Sequence, residues 1–250
     1  MVFLLADSHC HMDFFKNPQN IIKKMRRQKV GFAVTNSTSL QSIKASLSLS
    51  EKFPQIKCAV GIHPEDVLKM SNKGLERSFE LVEENIPSAS AVGEVGLDFK
   101  YAKTTQERQL QEDAFLRFID LAKKYKKPLV VHARYAETRC LDILEKSGLK
   151  NVHMHWFTNS KKTSSRAIDL GYFISCGPIL FSDQGSCEVV QNIPLSNLLL
   201  ETDAPVSFGG KTSDPSWIPL VLAKVAQIKG CSKKEVQEAT WANFSALYCP

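Results

Sequence analysis

The sequence predicts an α/β protein built as a (β/α)8 TIM barrel. Eight short aliphatic or β-branched runs recur along the 250 residues, each followed by an amphipathic or polar helical stretch. The runs are continuously apolar, as parallel strands covered by helices on both faces are, and eight such units in about 250 residues match a closed barrel. The third observation is polar: five of the six histidines, with Glu94 and Asp203, fall at or near the ends of these runs. In a barrel the C-terminal ends of all strands ring one mouth, so these side chains converge there. A doubly wound open sheet is the alternative that periodicity alone leaves open.

The first strand, Phe3–Asp7 within the run that begins at Val2, leads into Ser8-His9-Cys10-His11. Side chains at i and i+2 of an extended chain share a face, so two imidazoles so placed can grip one divalent ion. A helix at Asn20–Lys29, a strand at Phe32–Asn36 and a helix at Leu40–Lys52 follow. The strand Lys57–Gly61 runs into His63-Pro64, and after a helix at Gly74–Glu84 the strand Ala89–Val95 holds Glu94 among valines and glycines. An unpaired carboxylate buried there is costly, so Glu94 needs partners. Thr104-Thr105-Gln106-Glu107 has the hydroxyl-then-acid pattern that starts a helix, here Thr105–Tyr125. The strand Pro128–His132 precedes a helix at Ala136–Ser147 with Gly148 as its C-terminal cap. The strand Val152–His155 puts His153 on the face of His155, where it reads as a structural residue behind the ligands. A helix at Lys161–Leu170, a strand at Tyr172–Ser175, a helix at Ser186–Gln191 and the strand Leu198–Glu201 lead to Asp203. Helices at Pro219–Lys229, capped by Gly230, and at Lys233–Leu247 close the series.

Composition narrows the class. A chain with 43% hydrophobic and 23% charged residues, without a Pro/Gly/Ser-rich linker or a repeat, is expected to fold as one domain over residues 1–250. No stretch approaches the ~20 apolar residues that cross a bilayer. Met1–Ala6 is apolar but lacks a basic n-region and a cleavage site, so it reads as a buried strand and the protein as cytoplasmic, without a membrane partner. Seven scattered cysteines with no C-x-x-C spacing fit a reducing compartment. The net charge of +6 points weakly to a polyanionic partner, with basic clusters at Lys23–Arg27, Lys123–Lys127 and Lys161-Lys162.

His9, His11, Glu94, His132, His155 and Asp203 offer enough nitrogen and oxygen donors for two divalent ions, with Glu94 as the bridge. Two such ions about 3.5 to 4 Å apart activate a water and stabilise the leaving oxygen of a displacement. Asp203 is the candidate to hold a metal and also take the water's proton. Imidazole and carboxylate suit Zn, Mn, Fe or Ni, and Mg less well.

The ordered motifs Asp7-Ser-His9-Cys-His11, Gly61-Ile-His63-Pro64, Gly93-Glu94-Val-Gly96-Leu-Asp98, Val131-His132-Ala-Arg134, His155-Trp-Phe157 and Glu201-Thr-Asp203-Ala-Pro205 resemble the TatD family of metal-dependent deoxyribonucleases, within the amidohydrolase-like barrel superfamily. The resemblance runs from the first strand to Asn243. It implies a two-metal barrel that cuts phosphodiester bonds from the 3′ ends of single-stranded DNA, with the six residues above as metal ligands and His63 and Arg134 on the substrate phosphate. The departures concern substrate. Glu65 stands where the family usually has a second histidine, and His155-Trp156-Phe157-Thr158-Asn159 replaces His-Cys-Phe-Ser-Gly. Phe208–Pro215 lacks the usual arginine, leaving Lys211 as a point charge, and Phe118 stands where a glutamine is common. The expectation is therefore a monomeric single-strand 3′ deoxyribonuclease. The rival readings are a barrel hydrolysing another bond, such as an ester or D-aminoacyl-tRNA, and a non-catalytic nucleic-acid-binding barrel. The sequence shows no identifiable base-stacking platform.

Overall fold

A computed structural model describes residues 5–158 and 160–249. In chain order the elements are β1 (Leu5–Cys10), α1 (Pro18–Arg27), β2 (Val30–Asn36), α2 (Leu40–Lys52), β3 (Ile56–Val60), α3 (Pro64–Val67), α4 (Asn72–Asn85) and β4 (Ala91–Asp98). They continue with α5 (Thr105–Tyr125), β5 (Leu129–Arg134), α6 (Glu137–Ser147), β6 (Val152–Met154), α7 (Lys161–Asp169), β7 (Phe173–Cys176), α8 (Gln184–Asn192) and β8 (Leu198–Leu200). A small hairpin of β9 (Ser207–Phe208) and β10 (Lys211–Thr212) precedes α9 (Ile218–Lys229) and α10 (Lys233–Tyr248). The eight main strands are parallel and pair in sequence order, giving the barrel that the alternation predicts.

The expected strand Phe3–Asp7 is shifted: β1 reaches Cys10, so His9 lies inside it, while residues 2–4 fall outside the described residues. The four-residue α3 and the β9–β10 hairpin have no expected counterpart, because elements this short carry no readable periodicity. Thr104 and Glu107 form the capping box that their spacing predicts. Gly148 and Gly230 end α6 and α9 in left-handed conformation.

Barrel closure is local and lies at the mouth. β1 and β8 meet through the segment after β8: Asp203 N–H donates to the His9 carbonyl at 3.0 Å, and His11 N–H donates to the Ala204 carbonyl at 2.7 Å. The Asp7 carboxylate accepts from the N–H and hydroxyl of Thr202 and from His9 N–H. The same bonds that close the barrel therefore set Asp203 beside His9 and His11.

The interior is layered along the strands. Phe32, Val34, Ala59, Ala91, Val130, Phe173 and Leu199 form an apolar layer that packs on Phe244, Leu247 and Tyr248 of α10. Two residues further along the same faces come His132, Ser175 and Glu201. At the β4–β5 crossing the chains approach so closely that a Cβ on Gly96 would stand 2.1 Å from the His132 carbonyl oxygen, and Gly96 has φ +139°. Only glycine fits there.

Candidate metal centre

Glu94, 2% exposed, is the centre of the mouth. Its Oε2 lies 3.4 Å from His9 Nε2 and 3.5 Å from His11 Nε2, and Asp203 Oδ1 lies 3.5 and 3.4 Å from the same two nitrogens. Its other oxygen, Oε1, lies 2.8 Å from His132 Nδ1, 3.3 Å from His155 Nε2 and 3.9 Å from His63 Nε2. One carboxylate thus faces two separate groups of imidazoles. Among the described residues, His9, His11 and Asp203 place ligand atoms within 4.8 Å of one another, as do His9, Glu94 and His155.

Hydrogen bonds behind these side chains orient the rings of His11, His132 and His155. His11 Nδ1 donates to the Asn36 carbonyl at 2.8 Å, which turns Nε2 to the centre. His132 Nε2 pairs with Asp98 Oδ2 at 3.0 Å, leaving Nδ1 for the centre. Asp98 is itself fixed by Gln111, which accepts from the Asp98 N–H at 2.9 Å and donates to the Pro64 carbonyl at 3.0 Å. His155 Nδ1 donates to Glu201 Oε2 at 3.2 Å. Glu201 also accepts from the Ser175 hydroxyl at 2.6 Å, and Ser175 accepts from His153, whose Nδ1 accepts from Tyr248. A buried chain of hydrogen bonds therefore runs from α10 to His155. Carboxylates and carbonyls behind ligating histidines fix tautomer and orientation in this way.

The donor set fits divalent ions. Among the described residues neither nitrogen of the buried His9 has a hydrogen-bond partner, an expensive state for an imidazole, and coordination at Nε2 would satisfy the nitrogen that faces the centre. Electrostatics agree. Burial opposes charge on Glu94 and Asp203, yet the surrounding imidazoles hold the Glu94 carboxyl well below its ordinary range and also lower Asp203. Burial likewise opposes a proton on His11, but Asp203 and Glu94 raise it to about 9. Acidic partners also raise His132 and His155 against burial.

His63, Asp98 and His132 form a third cluster. His63 Nδ1 accepts from the Glu65 N–H at 3.1 Å, so in the neutral ring Nε2 carries the proton and points as a donor toward the centre. Burial, with the neighbouring His132 charge, pushes His63 down to about 3 and keeps the ring neutral. A donor nitrogen suits a substrate oxygen and not an ion.

Beside the centre opens a cavity of about 630 Å³, lined by His132, Arg134, Tyr135, His155, Trp156 and Asp203 among others. A family model described as TatD related DNase matches residues 6–249. The chain belongs to the TatD family. Human deoxyribonuclease TATDN3 is 29% identical over 98% of this chain and 94% of that protein. An uncharacterized metal-dependent hydrolase of Bacillus subtilis, YabD, is 28% identical over 98% of this chain and 99% of its own length. The crystal structure of the Escherichia coli TatD homolog YjjV superposes with a TM-score of 0.89 at 27% identity, covering all of both chains. An organophosphorus hydrolase from Deinococcus radiodurans shares the fold at 12% identity and a TM-score of 0.68.

Set within this TatD barrel, His9, His11, Glu94, His132, His155 and Asp203 are brought together, His63 borders them and Arg134 lines the cavity. The Glu65 carboxylate pairs with Lys69 at 2.6 Å, and Lys69 also meets Asp66 at 3.1 Å. Lys211 lies exposed on the hairpin and not among the cavity-lining residues, and Phe118 is core, packed on Phe79. Asn159 is outside the described residues. Lys23–Arg27 and Lys123–Lys127 end helices that lead into the starts of β2 and β5, the barrel end opposite the mouth. Asp98, Gln111 and Glu201 were not assigned by spacing, since their work is to hold other side chains. The signal available was a second polar residue four after Glu94 and two before Asp203.

Proposed function

We propose that this TatD-family chain is a two-metal hydrolase that cleaves phosphodiester bonds from the 3′ ends of single-stranded DNA. The carrying observation is Glu94, whose two oxygens face different imidazole pairs. His9, His11, Asp203 and Glu94 Oε2 would hold one ion, and His132 Nδ1, His155 Nε2 and Glu94 Oε1 the other. The ions supply an activated water and Lewis acidity toward the phosphoryl oxygens. The nucleic-acid part of the reading is supported by the family description and by the name of the human relative.

The chain's own groups divide the remaining tasks. Arg134 offers a planar fork to phosphate oxygens, and His63 donates from Nε2 to a second oxygen. Asp203, kept ionised by the imidazoles around it, accepts the proton of the attacking water. Glu201 and Asp98 hold His155 and His132 in the tautomers that face the centre. In this reading residues 1–250 act as one domain and as a monomer, in the cytosol, a compartment that suits seven free cysteines. Among the described residues no helix is long and apolar enough to cross a membrane.

The test is hydrolysis of 5′-labelled single-stranded DNA by metal-reconstituted protein, beside Glu94→Ala. A ladder shortening from the 3′ end, absent with the variant, is the expected result. Intact DNA from fully metal-loaded wild type would overturn the substrate assignment, and activity retained by the variant would overturn the site.

A further inference from the structure

Two aromatic residues at the mouth occupy backbone that L-residues avoid. Tyr135 follows β5 with φ +56°, and Trp156 follows β6, directly after His155, with φ +44°. Left-handed conformation is unfavourable for a bulky side chain and persists where the surroundings impose it, commonly at binding sites. Tyr135 gains little burial in exchange: it is 69% exposed, with the guanidinium of its neighbour Arg134 5.9 Å from the ring centre. Trp156 lies half-buried with Phe208 of the β9–β10 hairpin tilted against it, ring centres 5.6 Å apart. Both Tyr135 and Trp156 line the cavity that contains His132, His155 and Asp203. Among the described lining residues Arg134 is the one lysine or arginine.

We infer that Tyr135 and Trp156, the latter backed by Phe208, form a stacking platform for the unpaired 3′-terminal nucleobase of the single strand whose phosphate lies at the metal centre. This rests on the reading of the chain as a phosphodiesterase and adds which part of the substrate is recognised. The chemistry follows from what lines the cavity. A wall with aromatic rings, one guanidinium and the carboxylates of Glu137 and Asp183 offers little positive charge to a polyanion but offers π-faces, on which any base stacks without sequence preference. A paired terminus has its base covered by its neighbour and partner and cannot present a face to both rings. The platform therefore selects single-stranded or frayed ends and is indifferent to base identity.

The experiment compares two 5′-labelled oligothymidylates that differ only in the 3′ residue, one with its base and one with an abasic tetrahydrofuran, on zinc-loaded protein. Wild type should favour the base-bearing strand in kcat/KM by about tenfold, and Trp156→Leu and Tyr135→Leu should each reduce that preference several-fold. Tyr135→Leu alters an exposed side chain, so it keeps the test meaningful if Trp156→Leu fails to fold. Equal hydrolysis of both strands by wild type, or an unchanged preference in the folded variants, would overturn the platform. If wild type hydrolyses neither strand, the function assignment fails, and the platform is read by binding: metal-loaded wild type should bind the base-bearing oligonucleotide about tenfold more tightly than the abasic one, and Tyr135→Leu should lose that margin. Equal affinity would overturn it.

Discussion

Glu94 can serve as the central carboxylate because four histidines, two on each of its oxygens, lie within 3.5 Å and the side chain is buried. Removing it should lower kcat by at least about 100-fold, or ~2.7 kcal/mol in barrier, and should reduce bound metal to one ion or fewer per chain. Metal analysis of Glu94→Ala checks the second part independently of activity. Proton linkage follows from His11. Its proton affinity is raised to about 9 in the folded chain, against about 6.5 when unfolded. The metal-free fold thus gains stability from this group fully below pH 6.5 and loses it as pH rises through 9. A divalent ion competes with that proton, so metal affinity should rise with pH from 6.5 toward 9, and adding zinc to unbuffered protein at pH 7 should release protons. A pH-independent affinity over that window would contradict the assignment. Asp98 acts one step back: Asp98→Ala frees the His132 ring, and metal affinity should fall by about 10- to 100-fold by competition titration.

At the scale of elements, the site depends on the close approach of β4 and β5. Gly96 permits it, since a Cβ would strike the His132 backbone carbonyl at 2.1 Å and no rotamer change moves a backbone atom. Gly96→Ala should destabilise the fold by about 3 kcal/mol or more and lower Tm by about 6 to 12 °C, as followed by circular dichroism. A drop under 2 °C would show that the two strands separate freely. α10 contributes at the opposite end of the barrel. Its Phe244, Leu247 and Tyr248 cover the apolar layer, and the Tyr248 hydroxyl begins the hydrogen-bond chain that ends on His155.

For the whole molecule, the direction of the helices decides where charge sits. α1 and α5 run from the mouth toward the strand starts, which carries Lys23–Arg27 and Lys123–Lys127 away from the metal centre. Lys24 and Lys124 are moreover paired with Asp214 and Glu83. Lys161-Lys162 instead begin α7 on the mouth side, with Lys161 3.8 Å from Glu188, but neither is among the described residues that line the cavity, where Arg134 is the one lysine or arginine. With about two phosphate contacts or fewer, the logarithm of single-strand affinity should fall with log salt at a slope no steeper than about −1.4. A slope near −4 would mean that the distant clusters take part.

The sequence by itself determined the strand–helix alternation, the helix ends at Thr104, Gly148 and Gly230, and which histidines and carboxylates gather at the mouth as candidate ligands, because each is written in local period, capping chemistry or a residue's position at a strand end. It also placed Phe118 and Glu65 as departures without saying what they do. Only the tertiary structure decided that Asp98, Gln111 and Glu201 orient other residues, that the structural His153 is anchored on Tyr248, and that Tyr135 and Trp156 line one cavity. The physical reason is separation along the chain. Periodicity reports the face a residue takes on its own element, whereas Asp7 with Thr202, His153 with Tyr248 and Glu94 with four histidines are contacts made only when the sheet closes.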